Sequence, residues 1–334
     1  MKAFAVSTYG PDGLAATDLP VPVTGPKDVL VRIHASSVNP LDTMVRNGTF
    51  KALLPYRLPF VLGHDLAGTV EAVGHDVAGF HVGDVVYARP RDLRIGAFAE
   101  YLAVDAGDVA VKPAALSLTE AAAVPLVALA SWQALHDVAQ VQQGQRVLIH
   151  GGAGGLGSTA IQIAKYLGAE VFTTARASDE ARLRDWGADH VLDYTTTDFS
   201  TVLADLDVVL DSRGGDTLTK SLSVLRPGGI AISVVGPPDP AFAHQIGKPW
   251  LKPILWFASR KVRAAAKRRN VRYAFLFMQA SGEQLALLAR LYDAGNLRPV
   301  IDRVFPFDQT LEAIAYVEQG NAKGKVVLQH LPTF

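Results

Sequence analysis

The spacing of hydrophobic positions changes character twice along this chain. Up to about residue 117, apolar residues come in short β-branched runs: 29–33, the loosely alternating 66–73, and 82–87, with Gly and Pro between them at turn-like spacing. This predicts a small, irregular β domain. From 117 to 129 Ala and Leu dominate, which favours helix. Apolar runs at 146–150, 170–174, 191–194, 207–211 and 229–235 then alternate with helical spacing at 158–167 and 179–186. Strand and helix in alternation predict a parallel sheet with helices on both faces, a doubly wound α/β domain. After residue 277 the pattern gives helix 283–292, strand 299–304, helix 310–319 and strand 325–328. These are too few for a third domain, so the tail is expected to complete the first. The expected division is 1–122 with 279–334, and 123–278.

Composition narrows the function classes. The 334 residues are 49% hydrophobic, enough for two cores of ordinary size, and this excludes disorder for most of the chain. Lys+Arg and Asp+Glu are both 32, so no basic excess exists to neutralise nucleic acid. There is no cysteine, which excludes disulfides and thiolate chemistry. No run of 18 apolar residues predicts a membrane span. The start, MKAFAVSTYGPDG, lacks a signal-peptide pattern, so the cytoplasm is the expected compartment.

The strongest chemical signal is Arg146–Gly157, RVLIHGGAGGLG. It holds a G-x-G-x-x-G between a predicted strand and a predicted helix, the context that gives the motif meaning. Gly152 permits the tight turn, Gly154 lets backbone approach a pyrophosphate, and Gly157 lets helix and strand pack closely. With Ala153, Gly155 and Leu156 they open a helix whose N–H groups favour anions. The plain alternative is an ordinary glycine-rich turn. About 20 residues on, an NAD site usually carries an acid; here Ala175 and Arg176 stand instead. A guanidinium suits a 2′-phosphate, so NADPH is the expected cofactor, with a solvated Arg176 as the alternative.

With those residues in view the whole chain resembles one family. Gly63-His-Asp-Leu-Ala-Gly68-Thr-Val-Glu-Ala-Val-Gly74 and Gly83-Asp-Val-Val resemble segments of medium-chain dehydrogenase/reductases. Val38-Asn-Pro-Leu-Asp42, Asp211-Ser-Arg-Gly-Gly215 and Gly324-Lys-Val-Val resemble the quinone oxidoreductase and enone reductase (zeta-crystallin-like) branch. The resemblance implies a GroES-like irregular β domain plus a Rossmann domain, with the active site in the cleft between them. It implies Ser131 near the nicotinamide ribose and Tyr194 at the adenosine phosphate. Gly236 and the backbone around Phe275 and Phe277 would hold the nicotinamide, with Lys323 approaching the pyrophosphate. Tyr194 and the two phenylalanines could equally be core.

Departures from the family are as informative. Asn39 stands where zinc-dependent members have a first cysteine, and an apolar residue near Val127 replaces the second. His64 alone does not make a zinc site and reads as a structural histidine, so no metal is expected. Leu41 replaces the proton-relay hydroxyl, and the stretch 84–100 is too short for the structural-zinc lobe. Met44 stands where quinone reductases carry a tyrosine, which leaves Tyr56 as a substitute donor if its loop covers the cleft. Asp42 and Arg46, at i, i+4, read as a helix-surface pair. Arg91 and Arg94 read as solvated.

The expected activity is therefore zinc-independent hydride transfer from NADPH to a quinone or to the C=C bond of an α,β-unsaturated carbonyl. Asn39 is the candidate donor to the substrate oxygen. The expected substrate is small and apolar, in a cleft lined by Met44, Phe50, Leu53, Leu54, Ile95, Phe242 and Trp250, and a homodimer is an open partner expectation. A short-chain reductase is excluded, because no tyrosine has lysine four positions later. A non-catalytic NADPH-binding structural or regulatory protein is the remaining alternative. The stretch 259–272 carries seven Lys or Arg and reads as a helix with a solvated face, or as a surface for a membrane or an anionic partner.

Overall fold

The computed structural model describes residues 1–320 and 322–330. Two compact units divide the chain: Met1–Leu129 joined by the segment from Gln279 onward, and Ala130–Met278. The division falls seven residues after the expected one, inside the helix Pro125–Trp132. The preceding helix Leu118–Ala122, capped by Ser117 and Glu120, packs on the first unit's sheet and holds that segment there.

The unit Ala130–Met278 is built on six parallel strands. Their order across the sheet is His190–Asp193, Glu170–Ala175, Arg146–His150, Leu206–Asp211, Leu225–Ser233 and Arg272–Phe275. Numbered along the chain this is 3-2-1-4-5-6, the dinucleotide-binding order. The order reverses between Arg146–His150 and Leu206–Asp211, and such a switch point opens a crevice at the carboxyl ends of the two strands. Leu148, Val209 and Ala231 face a core closed by Phe172, Leu206, Leu222 and Val224. Each fully buried large apolar side chain stabilises the unit by about 1.5–3 kcal/mol.

The other unit is a mixed seven-stranded sheet with a separate three-stranded one. Asp28–Val38 is central and pairs antiparallel with Asp65–Val73, Tyr101–Asp105 and the returning Lys325–Gln329. The register Val326↔Val38 and Leu328↔Ser36 places Lys325 beside Asn39 across 286 residues of chain. Lys2–Val6 pairs with Leu14–Asp18 and Phe60–Val61 in the small sheet. Phe4, Val6, Leu62, Phe98, Val326 and Leu328 pack together between them.

Candidate functional site

The glycine loop lies at the carboxyl end of Arg146–His150, at the switch point. Gly151 has φ +70, and a Cβ on Gly152 would lie 2.2 Å from Thr173 Oγ1. A Cβ on Gly157 would lie 2.3 Å from the Gly151 carbonyl oxygen. Both glycines are therefore demanded by close packing of strand, loop and helix. The helix Gly155–Tyr166 begins at Gly154 with no side chain capping it. Its first-turn N–H groups are left to an outside acceptor, which fits a pyrophosphate bound by the backbone of Ala153, Gly154, Gly155 and Leu156.

His150 ends the strand before the loop and is buried between Thr174 Oγ1 at 3.1 Å and Ser221 Oγ at 2.9 Å. Burial pushes its pKa down to about 4, so the ring stays neutral beneath the loop at ordinary pH.

Arg176 follows the neighbouring strand, and its Nε donates to the Tyr194 hydroxyl at 3.0 Å. Both side chains are exposed at the carboxyl edge of the sheet. The structure thus brings together the two residues expected at the adenosine phosphate. Asp193, one residue before Tyr194, is held below the ordinary carboxylate range, first by the Thr195 backbone N–H and then by the Thr195 hydroxyl. It is folded back on its own turn rather than placed at the end of Glu170–Ala175, where Ala175 stands.

On the other side of the switch point, Asp211 is buried. Its Oδ1 accepts from the backbone N–H of Arg213 and Gly214, both at 3.0 Å, and its Oδ2 accepts from Ser233 Oγ at 2.7 Å. Ser233 Oγ in turn accepts from Gly236 N–H at 2.8 Å, so the D-x-x-G-G turn fixes the Gly236 turn. A Cβ on Gly236 would lie 2.6 Å from the Tyr273 hydroxyl. Phe275 and Phe277 both pack on buried Phe242, with centroids at 5.3 and 4.7 Å. Ser131 is buried near the end of the helix Pro125–Trp132, which runs on into a π-helical turn, Gln133–Val138, a distortion often found at functional positions. Lys323, in the other unit, is exposed.

The unit containing Asn39 holds an enclosed polar cluster. Asp65 Oδ2 accepts from Ser37 Oγ at 2.9 Å, Asn39 Nδ2 at 2.9 Å and Lys325 Nζ at 3.0 Å, while its Oδ1 accepts from Leu126 N–H at 2.8 Å. Lys325 also donates to Asn39 Oδ1. Asp42 closes a capping box on the helix Pro40–Arg46, accepting from Asn39 N–H at 2.7 Å, and its other oxygen meets His64 Nδ1 at 2.6 Å. Asn39, Asp42, His64, Asp65 and Lys325 are all buried, and His64 Nε2 is enclosed without a partner. Lys325, within the G-K-V-V motif, joins this cluster although the motif alone does not mark it as a site residue. The available signal was the lysine opening a β-branched run, since an ammonium that is buried there needs a carboxylate partner.

Tyr56 stacks on Phe60 with centroids 4.7 Å apart, and its hydroxyl is buried without a well-formed hydrogen bond. Burial, then the Asp92 charge, raises its pKa well above the ordinary phenol value, so it stays protonated. The Arg89–Asp92 ion pair and Asp42 are the other charges acting on it.

Two expectations about this unit change. Asp42 and Arg46 are not a surface pair: Asp42 is buried against His64, and Arg46 is buried with its guanidinium 2.6 Å from Glu318. Arg91 and Arg94 are exposed, as expected, and are also paired with Asp108, Asp105 and Asp28. Leu54 and Ile95 are core rather than open wall, because the aromatic cluster around Tyr56 and Phe60 closes over this region.

Residues 25–114 match the family model described as "Alcohol dehydrogenase GroES-like domain", and residues 186–328 match "Zinc-binding dehydrogenase". The chain is 33% identical to the NAD(P)H oxidoreductase RTN4IP1, mitochondrial, of Mus musculus, covering 98% of this chain and 89% of that one. It is 34% identical to the 2-methylene-furan-3-one reductase of Solanum lycopersicum, over 99% of this chain and 80% of the relative. The solved quinone oxidoreductase from Coxiella burnetii superposes with a TM-score of 0.87 at 32% identity, over 99% of both chains. With a 3-2-1-4-5-6 sheet, an uncapped glycine loop at its switch point and these full-length likenesses, the chain belongs to the quinone oxidoreductase and enone reductase branch of the medium-chain dehydrogenase/reductases and is a nicotinamide-dependent oxidoreductase.

Proposed function

We propose that the protein uses NADPH, without zinc, to reduce a quinone or the C=C bond of an α,β-unsaturated carbonyl. The observation that carries this reading is the Arg176–Tyr194 pair beside an acid-free strand end. A guanidinium with a phenol in hydrogen-bond contact offers charge and donors to a 2′-phosphate, and Ala175 brings no opposing carboxylate. Bound there, the cofactor supplies a hydride. The residues of the chain orient it: the glycine-loop backbone at the pyrophosphate, Ser131 at the ribose, Gly236 and the backbone near Phe275 and Phe277 at the nicotinamide, and Lys323 toward the phosphates.

Zinc independence is supported by what replaces the ligands. The Asn39 amide is bonded to the Lys325 ammonium, a cation that would repel a divalent metal from that position. A substrate that delocalises negative charge onto an oxygen needs no Lewis acid, only well-placed donors. Asn39 offers the N–H that otherwise makes a long 3.5 Å contact with the Ser37 carbonyl, and Tyr56 offers a hydroxyl kept protonated by burial. With Arg89, Arg91 and Arg94 all bound to carboxylates, this unit favours an uncharged, apolar substrate. NADPH oxidation measured with quinones, enones, enals, saturated ketones and unsaturated acids tests the reading. Quinones or enones should be preferred, with chelators having no effect. Preference for a saturated ketone or a charged acid, or a requirement for zinc, would overturn it.

A further inference from the structure

Between Asp239 and Glu283 the chain contains no acidic residue, yet it carries nine of the 32 Lys and Arg. A neutral protein has thus concentrated positive charge in one segment, leaving 23 cations elsewhere against all 32 carboxylates. The segment forms the turn Pro249–Leu251 and the helices Lys252–Ala258 and Arg260–Arg268. Leu251, Leu255, Ser259 and Ala266 face inward and are buried. The outer face is unusual. Trp250 is 68% exposed, Ile254 59% and Phe257 60%, at i, i+4 and i+7, with Trp256 beside them at 53%. A surface helix of a soluble protein normally places its large apolar residues inward, so this outward stripe has no role in holding the unit together.

The cations border the stripe directly. The Arg260 guanidinium lies 3.6 Å from the Phe257 ring centroid, and that of Arg263 lies 5.5 Å from the Trp256 ring. Lys261, Lys267, Arg268 and Arg269 continue the exposed charge along the second helix. Exposed Trp and Phe with adjacent Arg and Lys, on short helices at a surface, match the demands of a lipid headgroup region. The aromatic and aliphatic groups enter the acyl boundary while the cations meet anionic phosphates.

We propose that residues 248–272 form a docking surface for an anionic lipid bilayer. Charge complementarity selects this occupant. A second copy of the chain in a two-fold contact would set the same cations against one another, with no carboxylate in the segment to meet them. Nucleic acid would satisfy the charge but leave the Trp250–Ile254–Phe257 stripe in water. Docking would also bring the enzyme to the phase in which an apolar quinone or enone collects, a benefit that depends on the substrate proposal although the docking itself does not.

Vesicle flotation of the full chain tests this, with phosphatidylcholine alone and with phosphatidylcholine containing phosphatidylserine, at low and high salt. Binding is expected only with the anionic vesicles and is expected to weaken with salt. Arg260→Gln, Lys261→Gln and Lys267→Gln combined should weaken it on the order of 100-fold. Ile254→Ser and Phe257→Ser combined should weaken it comparably, with unchanged circular dichroism and unchanged NADPH oxidation on a soluble quinone. No binding to anionic vesicles, equal binding to neutral ones, or binding indifferent to both variants would overturn the proposal. A change in molar mass by light scattering for the apolar variant would overturn it in favour of self-association. Failure of the quinone assay with intact vesicle binding would count against the substrate reading and leave the docking surface standing.

Discussion

The Lys325 ammonium lies 3.0 Å from the Asp65 carboxylate, with both groups enclosed and the Asn39 amide joined to each. A buried ion pair contributes little net stability relative to apolar packing, but removing one partner strands the other. Lys325→Met should therefore destabilise the protein by about 3–5 kcal/mol, read from the urea midpoint. Adding Asp65→Leu should recover part of that loss. A single variant within about 0.5 kcal/mol of the parent would show that the Lys325–Asp65 pair is not an enclosed ion pair, and the cluster would lose its role as a fixed charged platform.

Arg176→Ala should raise the Kd for NADPH about 30-fold through loss of a charge-assisted contact to phosphate. NADH binding should change less than twofold, because NADH has no 2′-phosphate. Tyr194→Phe removes the hydroxyl that accepts from Arg176 and should act in the same direction with smaller size. Isothermal titration with both cofactors checks this. Equal losses for NADPH and NADH would assign Arg176 to general electrostatics.

The α/β half of the fold was legible because five of its six strands are short apolar runs alternating with helical spacing, and parallel order follows from that alternation; Arg272–Phe275 falls outside those runs. The return of the tail was legible for a related reason: Ile301–Pro306 and Lys325–Gln329, which pair with each other, are too few for a sheet of their own, and Lys325–Gln329 pairs on its other side with Asp28–Val38. What the sequence could not show was register. One residue of slip in that pairing would turn Lys325 away from Asn39 and Asp65, and no local pattern encodes which register forms. Asp42 and Arg46 illustrate the same limit. Their spacing is that of a surface pair, yet His64 and Glu318, 22 and 272 residues away, take one each. Arg176 and Tyr194 came together readily because they end neighbouring parallel strands, where Ala175 stands opposite Asp193.

Two buried histidines set an acid limit on stability. Burial lowers the pKa of His150 to about 4 and that of His330 to about 3, against 6.5 for the unfolded chain. Between those values the unfolded state binds protons the native state refuses. The stability contributed by the neutral rings is thus complete above pH 6.5 and is lost as pH falls from 6.5 toward 4. For His150 the full loss is on the order of 3 kcal/mol. His150→Gln, which retains groups able to bond Thr174 and Ser221, should flatten the decline of melting temperature between pH 6.5 and 4 relative to the parent. Parallel profiles for the two proteins would show that His150 does not contribute to acid unfolding.

Tyr56 carries the sharpest catalytic prediction. Its hydroxyl is buried, lacks a well-formed hydrogen bond, and is kept protonated by burial and the Asp92 charge. A phenol in that state can donate a hydrogen bond to a developing enolate oxygen, or a proton to the α carbon, at any ordinary pH. A positioned general acid contributes about 100-fold or more. Tyr56→Phe keeps the ring stacked on Phe60 and removes only the oxygen, so the fold and NADPH affinity should be unchanged. The kcat on an alkyl vinyl ketone should fall about 100-fold. A quinone, whose reduced oxygens take protons readily from water, should lose much less. Steady-state rates on the two acceptors, with the solvent isotope effect on the enone, separate the cases. If Tyr56→Phe reduces the enone by less than twofold, water supplies the proton, and Tyr56 belongs to the aromatic packing around Phe60 rather than to the chemistry.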